Sequence, residues 1–397
     1  MPFGGVKRQR PLWGLGRSPN YGGVTLAGNR NYALDVFRGI VILNMMFVDA
    51  PPDLQSIYKI FVHAPWEGIT VADLAFPGFV FAMGASLAFG GKLQETKRRW
   101  GKIFKRVAVL FLLGLLVNAF PALSRFILEP SFDFNALINE VVAHGRLFGI
   151  LQRLALVYLA AYVVIRIFKG KYLIMAALLL LAVYSGLTHL YSPSAPFSRT
   201  DNLNLFIDLA IAGKDHLMTA YDAPYEPEGL FGVVSSTASM LLGVCAGRFL
   251  QRENYRMLIL LGTAAFFIGG VWSEFDIISK PLWSAPYALM TAGFHAFLLF
   301  LAAILTKKIA VIKKCFKFFA AFGRNPMLFF LVTNAALVFL QTMTVTEDVS
   351  AYAYIYYETV RGFVSEAFSS SLFAALWCIM WYPLAAWLYK KNIIFKV

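Results

Sequence analysis

Residues 33–52 read ALDVFRGIVILNMMFVDAPP. Between Leu34 and Val48 only Asp35, Arg38 and Asn44 are polar, and apolar and polar residues do not alternate as a strand requires. A helix over 34–50 is about 25 Å long at 1.5 Å per residue, close to the thickness of bilayer hydrocarbon. Pro51 and Pro52 then stop it.

The same pattern recurs along the chain. Apolar stretches at about 70–90, 107–120, 147–166, 172–190, 229–250, 257–275, 285–306, 318–340 and 368–389 bring the expected spans to ten. The third is short and extends into Lys105 and Arg106. Of the 397 residues, 59% are hydrophobic and 15% charged, against about 25% charged in soluble domains. The expected fold is all-α: one polytopic membrane bundle over 34–391, flanked by polar tails at 1–33 and 392–397. The first tail lacks the apolar core and cleavage site of a signal peptide.

Lysine and arginine set the orientation. With both termini cytoplasmic, inner segments hold 26 of the 36 basic residues, including Lys97, Arg98 and Arg99, while outer segments hold 7. Acids divide the other way, 17 of 22 outside and 2 inside. The inner face is therefore near +24 and the outer face near −10. An acidic exterior concentrates cationic solutes, and a basic interior suits anionic membrane lipid. No soluble basic module exists, which excludes nucleic acid as a partner. Cys245, Cys315 and Cys378 offer neither an outer disulfide nor a metal-ligand spacing.

Charge inside a membrane span is costly and usually has a partner or a task. Asp35 and Arg38 share a helix face near the inner end, as a local pair or as part of a site. Asp49 lies about 21 Å further along, at the outer end. Residues 63–77 read HAPWEGITVADLAFP. Thr70 and Asp73 suit a helix start, and Pro77 deprives the Asp73 carbonyl of its helical donor. Helix-start chemistry leaves His63, Trp66 and Glu67 unaccounted for. A short loop joins Asp49 to His63, 14 residues on, and a carboxylate can orient an imidazole. Trp66 suits either sugar stacking or interfacial anchoring.

His144, His189 and His216 lie in outer segments without a comparable setting, and His295 reads as a helix-packing hydrogen-bond partner. Further polar points are Gln152 and Arg153, Glu226 and Glu228, Glu274, Asp276, Lys280 and Trp283, and Gly323 to Pro326. Together they suggest a polar cavity through the bundle. Gly243 and Gly247 form a GxxxG step, either internal packing or a homodimer face.

In order, ALDVFRGIVIL, HAPWEGITVADLAFPGFVFAMG, GILQRLALVYL, EPEGLFGVVSSTASMLLGVCAGRFL and KPLWSAPYAL resemble the heparan-α-glucosaminide N-acetyltransferase family and its bacterial relatives. The resemblance runs from about Arg30 to Lys391. It implies that cytosolic acetyl-CoA gives an acetyl group to a glucosamine-type amine on a glycan or amino sugar across the membrane. The setting expected is a bacterial inner membrane. The family's catalytic histidine falls on His63, and a second active-site position, usually Asn, falls on Asp49. His63 is expected to act as base, with Asp49 orienting it or holding the amine. Trp66, Glu67 and Asp73 are assigned to the acceptor. Asp35, Arg38, Gln152, Arg153, Arg324 and Asn325, with the loop from Lys97 to Arg106, are assigned to CoA, and Asn44 or a backbone N–H to the oxyanion. Direct transfer is the simpler route, and an acetyl-histidine is the other. An envelope-polysaccharide O-acyltransferase and an amino-sugar transporter remain open.

Overall fold

The computed structural model describes residues 31–52, 57–89, 100–220, 223–308, 310–346 and 349–395. Lys97, Arg98 and Arg99 lie outside the described residues. The first half holds α1 (Tyr32–Asp49), α2 (Ala75–Phe89), α3 (Trp100–Asn118), α4 (Phe120–Leu128), α5 (Phe134–Ile138), α6 (Ile150–Ile167), α7 (Tyr172–Tyr191) and α8 (Leu203–Ala212). The second holds α9 (Gly232–Gln251), α10 (Tyr255–Trp272), α11 (Ala285–Lys308), α12 (Ala310–Gly323), α13 (Pro326–Thr342), α14 (Ala351–Thr359), α15 (Glu366–Met380) and α16 (Tyr382–Lys391). Among the described residues the only strands form two small two-stranded ribbons.

Local chemistry sets the helix ends. Asn31 caps α1 by accepting the Leu34 N–H at 3.1 Å. Asn254 and Ser365 cap α10 and α15 in the same way. Among the described residues, seven helical segments are long and apolar enough to cross a bilayer, or up to nine if each bent pair counts as one span. The chain is an integral membrane protein. α1 has a span's length but carries Asp35, Arg38 and Asp49.

Two expected spans are bent. The stretch expected over 318–340 turns by 81° between Cys315–Gly323 and Pro326–Thr342, and the third expected span bends by 47° between α3 and α4. Pro326 explains the first corner, because proline opens a helix and disfavours helical geometry at the residue before it.

α9 is the central helix, with 83% of its apolar window buried, whereas α10 is peripheral at 22%. Its Ser236 and Thr237 hydroxyls donate to carbonyls one turn back, which satisfies them in an apolar interior. Gly243 and Gly247 lie directly against the backbone of Phe81 and Ala85 on α2. The GxxxG step thus packs two helices of one chain and gives no support to a dimer face. At one end of α1, Gly39 and Gly323 let α1 and α12 meet backbone to backbone. Phe267, Leu179 and other large apolar side chains face outward, as lipid contact requires.

Candidate active site

The loop ahead of α2 wraps around one carboxylate. Asp73 is fully buried in a single 3-10 turn, Ala72–Leu74. Its Oδ2 accepts the Ala64 N–H at 3.1 Å, the Thr70 N–H at 3.0 Å and the Thr70 hydroxyl at 3.0 Å. Its Oδ1 lies 2.8 Å from Nδ1 of His63. The Thr70 hydroxyl is shared with the Val62 carbonyl at 2.8 Å, and the Ala64 and Thr70 N–H groups hold the carboxylate so that it fixes the ring's orientation. The carbonyl that Pro77 frees is claimed by the Tyr287 hydroxyl at 2.6 Å.

Loop geometry follows from the motif. Gly68 has φ +112°, a conformation that glycine adopts without strain, and its N–H reaches the Ile278 carbonyl at 2.7 Å. Trp66 is buried edge-on against Tyr225, and its indole N–H donates to the Phe197 carbonyl at 3.0 Å. It anchors the loop and has no open face for a sugar, contrary to expectation. Glu67 stays exposed at the loop's edge. His63 keeps 45% of its side chain accessible.

The turn between α10 and α11 meets this loop. Lys280 Nζ lies 3.1 Å from Nε2 of His63, equally close to Nδ1, and 3.9 Å from Asp73 Oδ1. Nδ1 is committed to Asp73, and the equal distances place the Lys280 ammonium over the ring face, which leaves the in-plane lone pair of Nε2 open. Burial pushes the Lys280 ammonium below its ordinary range, while Glu228, Asp73 and Asp49 oppose that shift. Behind Lys280, Arg146 binds Glu226 through two contacts at 2.9 and 2.5 Å and also binds Glu228. Burial alone would raise the Glu228 carboxyl, but Arg146, Lys280 and Arg153 outweigh it and hold the group below the usual glutamate range.

The orienting carboxylate is therefore Asp73, where Asp49 was expected. Asp49 sits within electrostatic reach of His63 and Lys280, and its accessible side chain lines a cavity of about 200 Å³. Asn118, Arg146, Gln152 and Asn334 give that cavity its polar wall. The Gln152 Oε1 is buried there without a hydrogen-bond partner. A narrower, water-sized void continues along the α1–α13 seam from Asp49 to Ile42.

The residues expected to bind CoA fall into two groups. Asp35, Arg38, Arg324 and Asn325 gather toward the far end of α1, where Asp35 is about 21 Å and Arg38 about 16 Å from Asp49 by helix rise. Gln152 and Arg153 lie at the His63 end. Arg153 is 1% exposed, donates to the Gly229 carbonyl at 2.7 Å and stacks over Trp283. It cannot meet a nucleotide at the other end. Asn325 is a clip, bonding Ile393 and Phe395 of the C-terminal segment at 3.0 and 2.8 Å. Arg324 stacks on Tyr389 at 3.9 Å and reaches Asn392 at 3.1 Å. Arg38 meets Asp35 at 3.3 Å.

Three other expectations change or sharpen. Asn44 donates to the Val71 carbonyl at 3.0 Å, so it ties α1 to the loop. His189 does have a carboxylate, Asp276, at 2.9 Å. His295 bonds within its own helix, Nδ1 lying 2.6 Å from the Thr291 carbonyl. Arg146, Asn118 and Asn334 escaped the sequence reading. Asn334 was the most findable, as a lone amide in the apolar stretch PMLFFLVTNAALVFL.

These features define a class: a helical membrane protein with an imidazole, its orienting carboxylate and an ammonium at one rim, beside a polar cavity. The family described as heparan-alpha-glucosaminide N-acetyltransferase, catalytic, matches residues 30–265, and the chain belongs to it. It is 28% identical over 331 residues to the heparan-alpha-glucosaminide N-acetyltransferase of Homo sapiens, covering 67% of this chain and 47% of the relative. The Mus musculus enzyme of that name is 26% identical over 336 residues, covering 69% and 49%. The chain spans about half the length of these curated relatives.

Proposed function

We propose that the chain is a transmembrane N-acetyltransferase that moves acetyl from acetyl-CoA, on the Arg324 side, to the amine of a glucosamine-type sugar on the His63 side. Ten crossings, both termini on the cytoplasmic side and a bacterial inner membrane complete the reading. The observation that carries it is the His63–Asp73 pair beside a cavity walled by Asp49. An ammonium has no lone pair to attack a thioester, so the amine must first lose a proton. Asp49 suits an incoming ammonium. Once the amine is neutral, its nitrogen bonds the acetyl carbon and passes its second proton to His63 Nε2. The carbon–sulfur bond then breaks, and the thiolate leaves with a proton. At the other end, Arg324 and Arg38 suit the nucleotide phosphates through the planar guanidinium fork.

The test uses proteoliposomes with labelled acetyl-CoA on one side and glucosamine on the other. Wild type is expected to form N-acetylglucosamine, and His63→Ala to lose at least about 10²-fold in rate while still inserting and folding. Full activity in His63→Ala rejects the assignment. The α12–α13 break is also a feature of transporters. Glucosamine uptake without acetyl-CoA would favour that second reading.

A further inference from the structure

Lys280 has more structure around it than a surface lysine needs. Trp283, at φ 52°, ends the turn and is fully buried against Phe76 and Tyr287. Its N–H closes on the Lys280 carbonyl at 3.0 Å, and its indole donates to Ser239 at 3.2 Å. Ser279 and Ser284 bond each other across the turn, at 2.9 and 3.1 Å. The Tyr184 hydroxyl holds the Leu282 carbonyl at 2.5 Å. The turn's backbone is thus fixed, and the Lys280 side chain, only 17% accessible, projects from it to the imidazole.

A rigidly mounted ammonium beside a base suits charge that develops close to that base. Asn44 gives one of its two amide N–H groups to the Val71 carbonyl, which holds it against the loop, whereas the Lys280 ammonium stands at the imidazole itself. We propose that Lys280 donates to the thioester oxygen in the tetrahedral intermediate, while Nε2 of His63 takes the proton of the incoming amine. This rests on the acyl-transfer reading above. In the step, the amine nitrogen bonds the acetyl carbon, the carbonyl electron pair moves onto oxygen beside Nζ, and the amine proton goes to Nε2. Collapse restores the carbonyl, breaks the carbon–sulfur bond and leaves the proton to the departing sulfur. Lys280 stays protonated throughout.

The groups facing the imidazole are Asp73 from the turn before α2, Asp49 from the end of α1 and Lys280 itself, with Glu228 behind Lys280. Removing the ammonium leaves His63 among carboxylates, which favours its charged form. The acid limb of kcat/KM against pH should then move to higher pH, which a merely structural strut would not cause.

The experiment compares wild type with Lys280→Met, Lys280→Gln and Lys280→Arg in proteoliposomes with acetyl-CoA and glucosamine. Lys280→Met and Lys280→Gln are expected to lose about 10²–10³-fold in kcat, with the limb shifted upward, while Lys280→Arg regains part of the rate. Should Lys280→Met fail to fold, the Gln and Arg variants decide. Neutral variants within about threefold of wild-type kcat overturn the assignment, as do equal losses in all three with an unmoved limb. A wild type that acetylates no amine rejects the underlying reading, a result distinct from an active wild type with unimpaired variants.

Discussion

At the His63 end, charged side chains face one another. Asp73 holds His63, Lys280 faces both, and Arg146 bridges Glu226 and Glu228. At the Arg324 end Arg38 pairs with Asp35, while Arg324 turns to Tyr389 and Asn392, and Asn325 to the backbone of Ile393 and Phe395. Both ends use basic and polar residues, but the first joins an imidazole, an ammonium, a guanidinium and carboxylates from distant segments, and the second sets its outermost arginine on a ring and an amide. A network fixes protonation and orientation, as proton transfer requires. An arginine's planar fork matches the oxygens of a phosphate. On the proposed reading, the first end carries the chemistry and the second anchors the polyanion.

The largest test of that division lies within the network, between its two aspartates. Asp73→Asn leaves one acceptor oxygen for the Ala64 N–H, the Thr70 N–H and the ring, so either the ring or the loop loses its partner. A loss of about 10³-fold in rate is expected, with the fold retained. Asp49→Asn, which restores the family's usual residue, should stay within about tenfold of wild type. Initial rates at saturating acetyl-CoA, with melting curves as a folding control, rank the two. The reverse ranking would return the orienting role to Asp49.

A smaller effect is expected at the other end. Arg324→Ala should raise KM for acetyl-CoA about tenfold and leave kcat within about threefold, because it removes binding without touching the reacting atoms. Arg324→Lys keeps the charge but loses the fork, so it should fall between. If kcat falls and KM does not, the separation into a chemical end and a binding end is wrong.

Much of this was legible in the residues. Composition and apolar period give the bundle, and the expected extension of the third span into Lys105 and Arg106 matches a helix that begins at Trp100. HAPWEGITVAD marks the site because its residues act locally: Ala64, Thr70 and Asp73 are close in sequence, and Gly68 supplies the required turn. Contacts between distant segments were not legible. Lys280 reaches His63 across 217 residues, and Asp276 reaches His189 across 87. Arg153 reads as a phosphate ligand from its residue type, and only packing reveals it shut beneath Trp283. FGRNP contains the helix break in plain view, since the residue before proline avoids helical geometry. It reads as the opening of a span, when it is the corner between two helices.

The smallest expected effect concerns what holds the network at the His63 end in place. Asp208 on α8 is 1% exposed, and its Oδ1 accepts the Leu230 N–H at 2.8 Å beside the Glu226–Glu228 segment. Burial pushes its carboxyl up to about 7, against the Leu230 bond and the Arg153 charge, which pull it down. A folded-state value above the unfolded one means that the folded protein binds this proton more tightly. The stability so contributed is fully present below the unfolded value, near 4, and is lost as pH rises through about 7. Asp208→Asn keeps an acceptor for Leu230 and cannot ionise. The difference in Tm between wild type and Asp208→Asn should therefore change steadily from about pH 5 to about pH 7, to the disadvantage of wild type, and level off above. A difference flat across that range would mean that Arg153 already neutralises Asp208 in full. The buried arginine would then be part of that network rather than a neighbour of it.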